Sequence, residues 1–114
     1  MPDSIEALCG VDRVVHEPAR LAILTVLDAC RDADFRLLMS ATGLPPGNLS
    51  SHLTKLEDAG LIEITKTFRG KRPYTQVRVL PTGRDALRRH WRCLDDARHT
   101  AEMWRRAVDD PVRA

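Results

Sequence analysis

The sequence has few of the residues on which several classes of protein depend. Its 114 residues include only two Trp, one Tyr and two Phe, too few for a platform that stacks unpaired bases. The three cysteines, Cys9, Cys30 and Cys93, are odd in number, far apart and without a C-x-x-C pair. This pattern excludes a disulfide framework and a thiolate zinc cage, and it favours a reducing, cytoplasmic compartment.

Long apolar runs and catalytic motifs are also absent. No stretch approaches the length of apolar sequence that spans a bilayer, so we expect no membrane partner. The first residues lack a basic region followed by an apolar stretch, which argues against export. There is no Gly-rich phosphate loop and no motif that pairs a nucleophile with a base, so we expect neither enzymatic activity nor a cofactor. The length predicts one domain over residues 1–114.

The net charge of +2 hides an uneven distribution of charge along the chain. Residues 1–44 have more acids than bases, whereas residues 45–80 have more bases than acids. The segment from Lys66 to Arg78 contains five cations and no carboxylate. Such a segment is expected in an element that binds phosphate. A solvated basic hairpin would explain the charge equally well, so the position of the segment in the fold has to decide.

Helical periodicity predicts two helices near the N-terminus. A short helix over residues 4–15 follows from the spacing of its apolar side chains. A second helix follows Pro18 and runs from Ala19 to Cys30 with a clear apolar face. On that face Cys30 is expected to be a small core residue.

Two further helices and a hairpin follow. Asp34 is a good cap for a helix from Phe35 to Thr42, which Gly43 then ends. The next helix has Pro46 in its first turn and stops at residues 59–60. Strands are predicted over residues 61–67 and 74–80, with a turn over 68–73 between them. A capping box over residues 82–85 opens a long helix that runs to about residue 108.

Helix, helix, tight turn, helix and hairpin is the order of a winged helix-turn-helix domain. The predicted fold is therefore mainly α with a small β-hairpin. It consists of an N-terminal helix (residues 1–16), a winged helix-turn-helix core (17–80) and a long C-terminal dimerisation helix (81–109). The basic segment becomes the wing, and its predicted DNA contacts are Lys66, Arg69, Lys71 and Arg72.

The helix before the wing has the two faces that a DNA-reading helix requires. Leu53 and Leu56 lie within about 40° of Leu49 on a helical wheel and form an anchor. The remaining face is small or able to hydrogen-bond and holds no acid in its first two turns, whereas an ordinary surface helix usually mixes Glu and Lys. Predicted DNA contacts on this helix are Gly47, Asn48, Ser50, Ser51, His52, Thr54 and Lys55.

The segment Gly43–Ile62, with its S-x-H-L and L-E-x-A-G-L patterns, resembles bacterial winged-helix transcription regulators of the MarR/ArsR type. His16–Leu24 is similar to their first core helix, and the likeness covers roughly residues 16–92. The resemblance implies a dimeric, DNA-binding repressor or activator of transcription, with repression the expected action. Ser51 departs from it, since many relatives have a long side chain there. An alternative function is a winged-helix module that binds protein and has no contact with DNA.

The C-terminal helix contains residues that could suggest a metal sensor. His90, Cys93, Asp96, His99 and Glu102 follow one another at intervals of three. Each such step rotates 300°, so the set spirals around the helix and only His99 and Glu102 form a local pair. We therefore expect no metal site in one chain, and the sequence identifies no small-molecule effector.

The same helix predicts a homodimer. Its apolar residues recur every seven positions over about three heptads, which is typical of a helix that packs against another helix. A two-fold dimer would present two reading helices to a pseudo-palindromic site in double-stranded DNA. The competing arrangement is a helix folded back on its own domain. Predicted interface residues are Leu87, Trp91, Leu94, Ala97, Ala101, Trp104 and Val108, with Ile5 and Leu8 of the N-terminal helix closing over them.

Overall fold

The computed structural model describes residues 12–109, which form four helices and three strands. The element order confirms the predicted mainly α fold with a hairpin and a long last helix. The elements are α1 (Pro18–Cys30), β1 (Asp32–Asp34), α2 (Phe35–Thr42), α3 (Pro46–Asp58), β2 (Ile62–Arg69), β3 (Arg72–Val79) and α4 (Pro81–Asp109).

Most of the predicted N-terminal helix, including Ile5, Leu8 and Cys9, lies outside the described residues. Residues 13–15, which that prediction also included, form a turn rather than a helix. The side chain of Val15 in this turn is completely buried in the core. The described part of the segment therefore packs on the domain without continuing a helix into α1.

The two ends of α2 follow from local chemistry, as predicted. The Asp34 carboxylate accepts a hydrogen bond of 2.7 Å from the backbone N–H of Leu37, which satisfies one of the free donors at the start of the helix. At the other end, Gly43 has φ = 72°, a left-handed conformation that glycine adopts without strain. Capping at both ends therefore limits α2 to eight residues.

The sheet contains a strand that the sequence does not predict. β1 pairs antiparallel with β3, so the sheet has the order β1-β3-β2. Its three residues include two aspartates, which have low strand propensity, and only Ala33 is buried. Pairing with β3 rather than local preference therefore makes this segment a strand.

The hairpin is longer and its turn tighter than predicted. Phe68 pairs with Pro73 and Arg69 with Arg72, so the turn consists of Gly70 and one further residue rather than residues 68–73. Gly70 has φ = 64°, and the residue after it does not have positive φ, the pattern of a type II′ turn. Pro73 is tolerated in β3 because β1 pairs only with residues 76–78 and leaves this part of the strand at an edge.

Two other expectations are wrong. Cys30 is exposed rather than part of the core, because the buried face of α1 ends at Leu27 and residues 28–30 all face solvent. The capping box at the start of the long helix does not form, because α4 begins at Pro81 and includes Thr82. The Thr82 hydroxyl donates instead to the backbone carbonyl of Gly60.

One hydrophobic core joins the helices to the sheet. The three anchor leucines of α3 are buried in it, with exposed fractions of 0% for Leu49, 2% for Leu53 and 0% for Leu56. The cluster takes side chains from every helix and strand. Its other members are Val15, Ile23, Leu24, Leu27, Ala33, Leu38, Leu61, Ile62, Val77, Val79, Ala86 and Leu87.

The end of α3, the start of β2 and the start of α4 meet at Gly60 and Leu61. The N–H of Gly60 donates to the Glu57 carbonyl at 2.9 Å, and the N–H of Leu61 donates to the Leu56 carbonyl at 3.1 Å. With Gly60 at φ = 75°, these bonds form a Schellman motif that ends α3. The carbonyl of Leu61 then accepts from Leu80 N–H at 3.0 Å, which brings the chain before α4 against the same junction.

Gly83 allows α4 to approach this junction closely. It is buried in the first turn of α4, and a Cβ at this position would overlap the Leu61 carbonyl oxygen and lie 3.0 Å from Cγ2 of Val79. We expect Gly83→Ala to destabilise the fold by about 1–3 kcal/mol in urea unfolding, because backbone has to move to admit the methyl group.

Gly47→Ala is the matched control, because Gly47 also lies in the first turn of a helix but no atom is within 4 Å of its Cβ position. This variant should be neutral or stabilising by up to about 1 kcal/mol, since alanine has the higher helix propensity. Equal effects of the two substitutions would contradict the close approach at Gly83.

Candidate nucleic-acid interface

The outward face of α3 is exposed and has no acidic side chain in its first two turns. Thr54 is constrained on this face, since its hydroxyl donates to the Ser50 carbonyl at 3.0 Å. A small, hydrogen-bonding surface of this kind can approach the edges of bases without charge repulsion. The exposed residues are Gly47, Asn48, Ser50, Ser51, Thr54 and Lys55.

The first acid on α3, Glu57, has a structural contact. Its Oε2 atom accepts a hydrogen bond of 2.8 Å from the backbone N–H of Ile64 in β2. The carboxylate therefore joins the end of α3 to the start of the wing. This contact holds the negative charge in the last turn of the helix, away from its N-terminal half.

His52, which the sequence predicts as a DNA contact beside this face, is only partly exposed. Its side chain is 19% exposed, and Nδ1 lies 3.3 Å from Nη1 of Arg20 and 3.6 Å from Oε2 of Glu17. Arginine can only donate, so Nδ1 acts as the acceptor. The structure thus places His52 between α3 and α1, where it positions the reading helix on the domain.

Arg20 connects this contact to the segment before α1. Its Nε donates to the Val14 carbonyl at 2.6 Å, and its Nη2 donates to the Arg13 carbonyl at 3.3 Å. The planar guanidinium therefore joins three parts of the chain with one side chain. Sequence patterns do not predict Arg20 or Glu17 as part of the interface, since neither lies on α3 or the wing.

Glu17 is the N-cap of α1 and is held in its charged form. Its Oε2 accepts from the Arg20 backbone N–H at 2.8 Å. Burial pushes the pKa of Glu17 upward, but backbone hydrogen bonds from Arg20 and Ala19 and electrostatic interactions with the nearby His52 and Arg20 side chains outweigh burial. The pKa of Glu17 is therefore below its usual value of 4.5.

The predicted cations of the wing are all exposed, and the strand register assigns them to two faces. Arg69 and Arg72 are directly paired, so they share one face near the turn. The guanidinium of Arg69 lies over the ring of Tyr74, 3.9 Å from its centroid, a cation–π contact that the sequence does not predict. Lys66 lies on the opposite face, together with Ile64 and Phe68.

A cleft of about 190 Å³ separates α3 from this second face of the wing. One wall comes from Ser50 and Thr54 of α3 and the other from Lys66 of β2. The structure therefore brings predicted residues of the helix and the wing to one continuous surface. Lys66 contributes a positive charge at the point where the two elements diverge.

From Trp91 onward, α4 exposes large apolar side chains. Trp91 is 45% exposed, Trp104 40% and Val108 81%, whereas Leu94 and Ala101 are half-buried. Leu87, which the heptad pattern also assigns to the interface, is 3% exposed because it packs in the core of its own domain. Ala97 is also buried. The near end of the predicted stripe is thus covered within one chain, and its distal end is open.

No three potential ligands among His, Cys, Asp and Glu converge within residues 12–109. His90 is buried, and its ring centroid lies 5.1 Å from that of His16. Burial lowers the pKa of His90 and the nearby His16 lowers it further, while Asp12 opposes the shift. The lowered pKa favours a neutral His90 side chain, which packs against the ring of His16.

In the same described range, no helix is long and apolar enough to cross a membrane.

Comparison with known proteins agrees with this geometry. The family described as "Winged helix DNA-binding domain" matches residues 19–97. The uncharacterized protein MJ0432 of Methanocaldococcus jannaschii is 30% identical over 78 residues, which are 68% of this chain and 85% of that protein.

Two solved structures show similar folds. A transcriptional regulator homologue from Pyrococcus horikoshii OT3 is 30% identical and superposes with a TM-score of 0.71, covering 83% of this chain and 92% of that one. A MarR-family transcriptional regulator from Silicibacter pomeroyi has a TM-score of 0.58 at 18% identity, covering 98% of this chain and 69% of that one. This match confirms the predicted resemblance at the level of the fold.

The charge of Glu17 should make part of the stability pH-dependent. Because the folded pKa lies below the unfolded value, the carboxylate stabilises the fold above pH 4.5, and this contribution fades as the pH falls through the folded pKa. We expect Glu17→Gln to lower the free energy of unfolding by up to about 1 kcal/mol at pH 7. The difference from the unsubstituted chain should shrink as the pH falls below 4.5.

Urea unfolding at several pH values measures this difference. Glu63→Gln is the control, because Glu63 pairs with Arg78 at 3.1 Å on the exposed face of the sheet, where an ion pair contributes little. A loss of stability in Glu17→Gln that does not change between pH 7 and pH 3 would show that the charge of Glu17 is not involved.

Proposed function

The chain belongs to the winged helix DNA-binding domain family, and we propose that it is a sequence-specific transcription regulator that binds double-stranded DNA as a homodimer. One observation carries the proposal: the acid-free outward face of α3 and Lys66 of the cationic wing line one exposed cleft. This surface has the charge and the side chains that phosphates and base edges require.

In this proposal α3 enters the major groove. Its 13 residues give a helix about 20 Å long, and an α-helix fits the width of that groove. The buried leucines fix the helix to the domain, while Asn48, Ser51, Thr54 and Lys55 reach base edges or nearby phosphates. Ser51 is short, so a base contact through it requires a close approach of the helix, which the small side chains around it permit.

The wing contributes affinity that does not depend on sequence. The two-residue turn contains Lys71 and lies between Arg69 and Arg72. No carboxylate lies within the segment from Lys66 to Arg78. These cations would contact the phosphates beside the groove that α3 occupies and release counterions from DNA. Such contacts fix the register of the protein on the duplex while α3 reads the bases.

The dimer brings two such surfaces to one DNA site. The helix α4 has 29 residues and is about 44 Å long, so its distal half extends beyond the core that covers Leu87. A symmetric contact through Trp91, Leu94, Trp104 and Val108 would bury this apolar stripe. Two α3 helices about one DNA turn apart would then face a pseudo-palindromic operator. We propose repression as the action of the bound dimer, since the resemblance to regulators of the MarR/ArsR type favours it.

The wing is tested by removing its charges. The triple variant Arg69→Ala, Lys71→Ala and Arg72→Ala should bind both operator and random duplex more weakly, by similar factors. The slope of log affinity against log salt should fall in magnitude by about one for each lost phosphate contact. Fluorescence titrations at several salt concentrations measure both quantities.

A second triple variant controls for net charge. Arg88→Ala, Arg89→Ala and Arg92→Ala remove the same charge from exposed positions on α4 and should leave the salt slope nearly unchanged. Equal effects of the two triple variants would reject the wing as a clamp. If the unsubstituted chain shows no salt-sensitive binding to any duplex, the domain is an interaction module rather than a DNA-binding regulator.

The dimer is tested by placing a charge in the exposed stripe. Trp104→Asp and Leu94→Asp should convert a dimer to a monomer, because each places an unpaired carboxylate in an apolar contact. Sedimentation at micromolar concentration measures the mass. Operator affinity should fall in parallel, since a monomer contacts one half-site.

Arg92→Asp is the control for this experiment, since Arg92 is exposed on the same helix and lies away from the heptad stripe. This variant should remain dimeric. A monomeric unsubstituted chain, or a dimer that all three substitutions leave intact, would contradict the proposed interface.

A further inference from the structure

Phe68 is a large apolar side chain at the end of the wing with nothing packed over it. It is 72% exposed, more than either tryptophan of α4. It lies in β2, two positions from Gly70 of the turn, and pairs across the hairpin with Pro73. Single exposed aromatic rings are common on protein surfaces, so the surroundings of Phe68 decide whether it has a partner.

The strand register shows which side of the wing the ring occupies. Side chains alternate along β2, so Phe68 shares a face with Ile64 and Lys66. These two residues line the cleft beside Ser50 and Thr54 of α3. Phe68 therefore lies on the α3 side of the wing, further from the core than the cleft.

The charges around Phe68 specify the chemistry of its partner. Lys66 is exposed on the face that holds the ring, Lys71 is exposed at the turn, and Arg69 and Arg72 are exposed on the opposite face. The segment has no carboxylate to neutralise these cations. A protein surface that covered the ring would have to desolvate these cations or supply acids for them. A partner with anionic edges would neutralise these cations, and an apolar region between its edges would cover the ring. A DNA groove has this arrangement, with stacked bases between two rows of phosphates.

From this geometry we propose that Phe68, backed by Pro73, is an apolar wedge that enters the minor groove beside the α3 site and partly unstacks one base step. This inference rests on the proposed function. The neighbouring cations would bind the phosphates on both sides, and the ring would contact the exposed faces of the separated bases. Side chains inserted in this way bend the duplex toward the major groove.

The wedge implies a sequence preference that no hydrogen bond supplies. Pyrimidine–purine steps such as TA and CA unstack most easily, so they offer the least resistance to the ring. Operators should therefore contain such a step at the position that the wing reaches, outside the bases that α3 contacts. Phe68 would then contribute to specificity through the deformability of DNA.

The experiment uses the full chain and 30-base-pair duplexes that it selects from a random library. Phe68→Ala should weaken binding to a selected duplex by about ten- to a hundredfold, the loss expected for a buried aromatic contact. The salt slope should not change, because the ring neutralises no phosphate. Energy transfer between dyes at the two duplex ends should show a bend with the unsubstituted chain and a smaller bend with Phe68→Ala.

Two variants make the result specific to the wedge. Thr67→Ala changes the adjacent exposed residue on the opposite face of β2 and should retain both affinity and bend. Phe68→Leu retains an apolar side chain and should recover part of the bend. Because Phe68 is exposed, these substitutions should not unfold the domain, and circular dichroism checks this directly.

The possible failures are distinguishable. If the unsubstituted chain binds a selected duplex but does not bend it, or if Phe68→Ala bends it equally, the wedge is rejected and the proposed function stands. A change of sedimentation in Phe68→Ala with no change in the bend would assign the ring to a second copy of the chain and also reject the wedge. If no duplex is selected at all, the proposed function fails and the wedge fails with it.

Discussion

The close packing at residues 60, 61 and 83 is the constraint on which the arrangement of the interface depends. The Leu61 carbonyl accepts from the N–H of Leu80, and the Gly60 carbonyl accepts from the hydroxyl of Thr82. Only a residue without a side chain fits at Gly83, against the backbone of Leu61. This packing therefore holds together the last turn of α3, the start of β2 and the first turn of α4. A shift of α4 at this junction would move α3 and the wing with it.

This junction connects the proposed dimer to the proposed reading surface. The exposed stripe on α4 lies on the same continuous helix as Gly83, and a helix transmits position over its whole length. The spacing of two α3 helices in a dimer would thus be set by the packing at Leu61 as much as by the contact between subunits. The Glu57 bond to Ile64 and the contacts of His52 with Arg20 and Glu17 fix the other sides of α3. The turn end of the wing has the least support, since the pairing with β1 reaches only Gln76 and residues 66–75 contribute nothing to the buried core.

Local signals predicted much of this fold. The bounds of α2 follow from an aspartate cap and a glycine, the anchor face of α3 from three leucines, and the length of α4 from an uninterrupted pattern. The strand β1 was not predictable, because its two aspartates become extended only through pairing with β3. The prediction of a capping box at Thr82 was wrong, because the Thr82 hydroxyl donates to the backbone carbonyl of Gly60. No local sequence pattern reveals this contact. The environments of His52 and Leu87 were not predictable for a similar reason. A helical wheel gives the direction of a side chain but not what the rest of the chain places beside it. His52 contacts Arg20 and Leu87 packs in the core, and these contacts come from distant parts of the sequence.

The central claim is that the outward face of α3 reads DNA sequence. The most direct measurement is a competition between a selected duplex and a random duplex for a variant in which Asn48, Ser51, Thr54 and Lys55 are all replaced by Ala. These side chains are exposed, so the fold should survive. The preference for the selected duplex should fall by roughly 1–3 kcal/mol for each lost base contact, while binding to random duplex is retained through the wing. An unchanged preference would show that another part of the chain recognises the sequence.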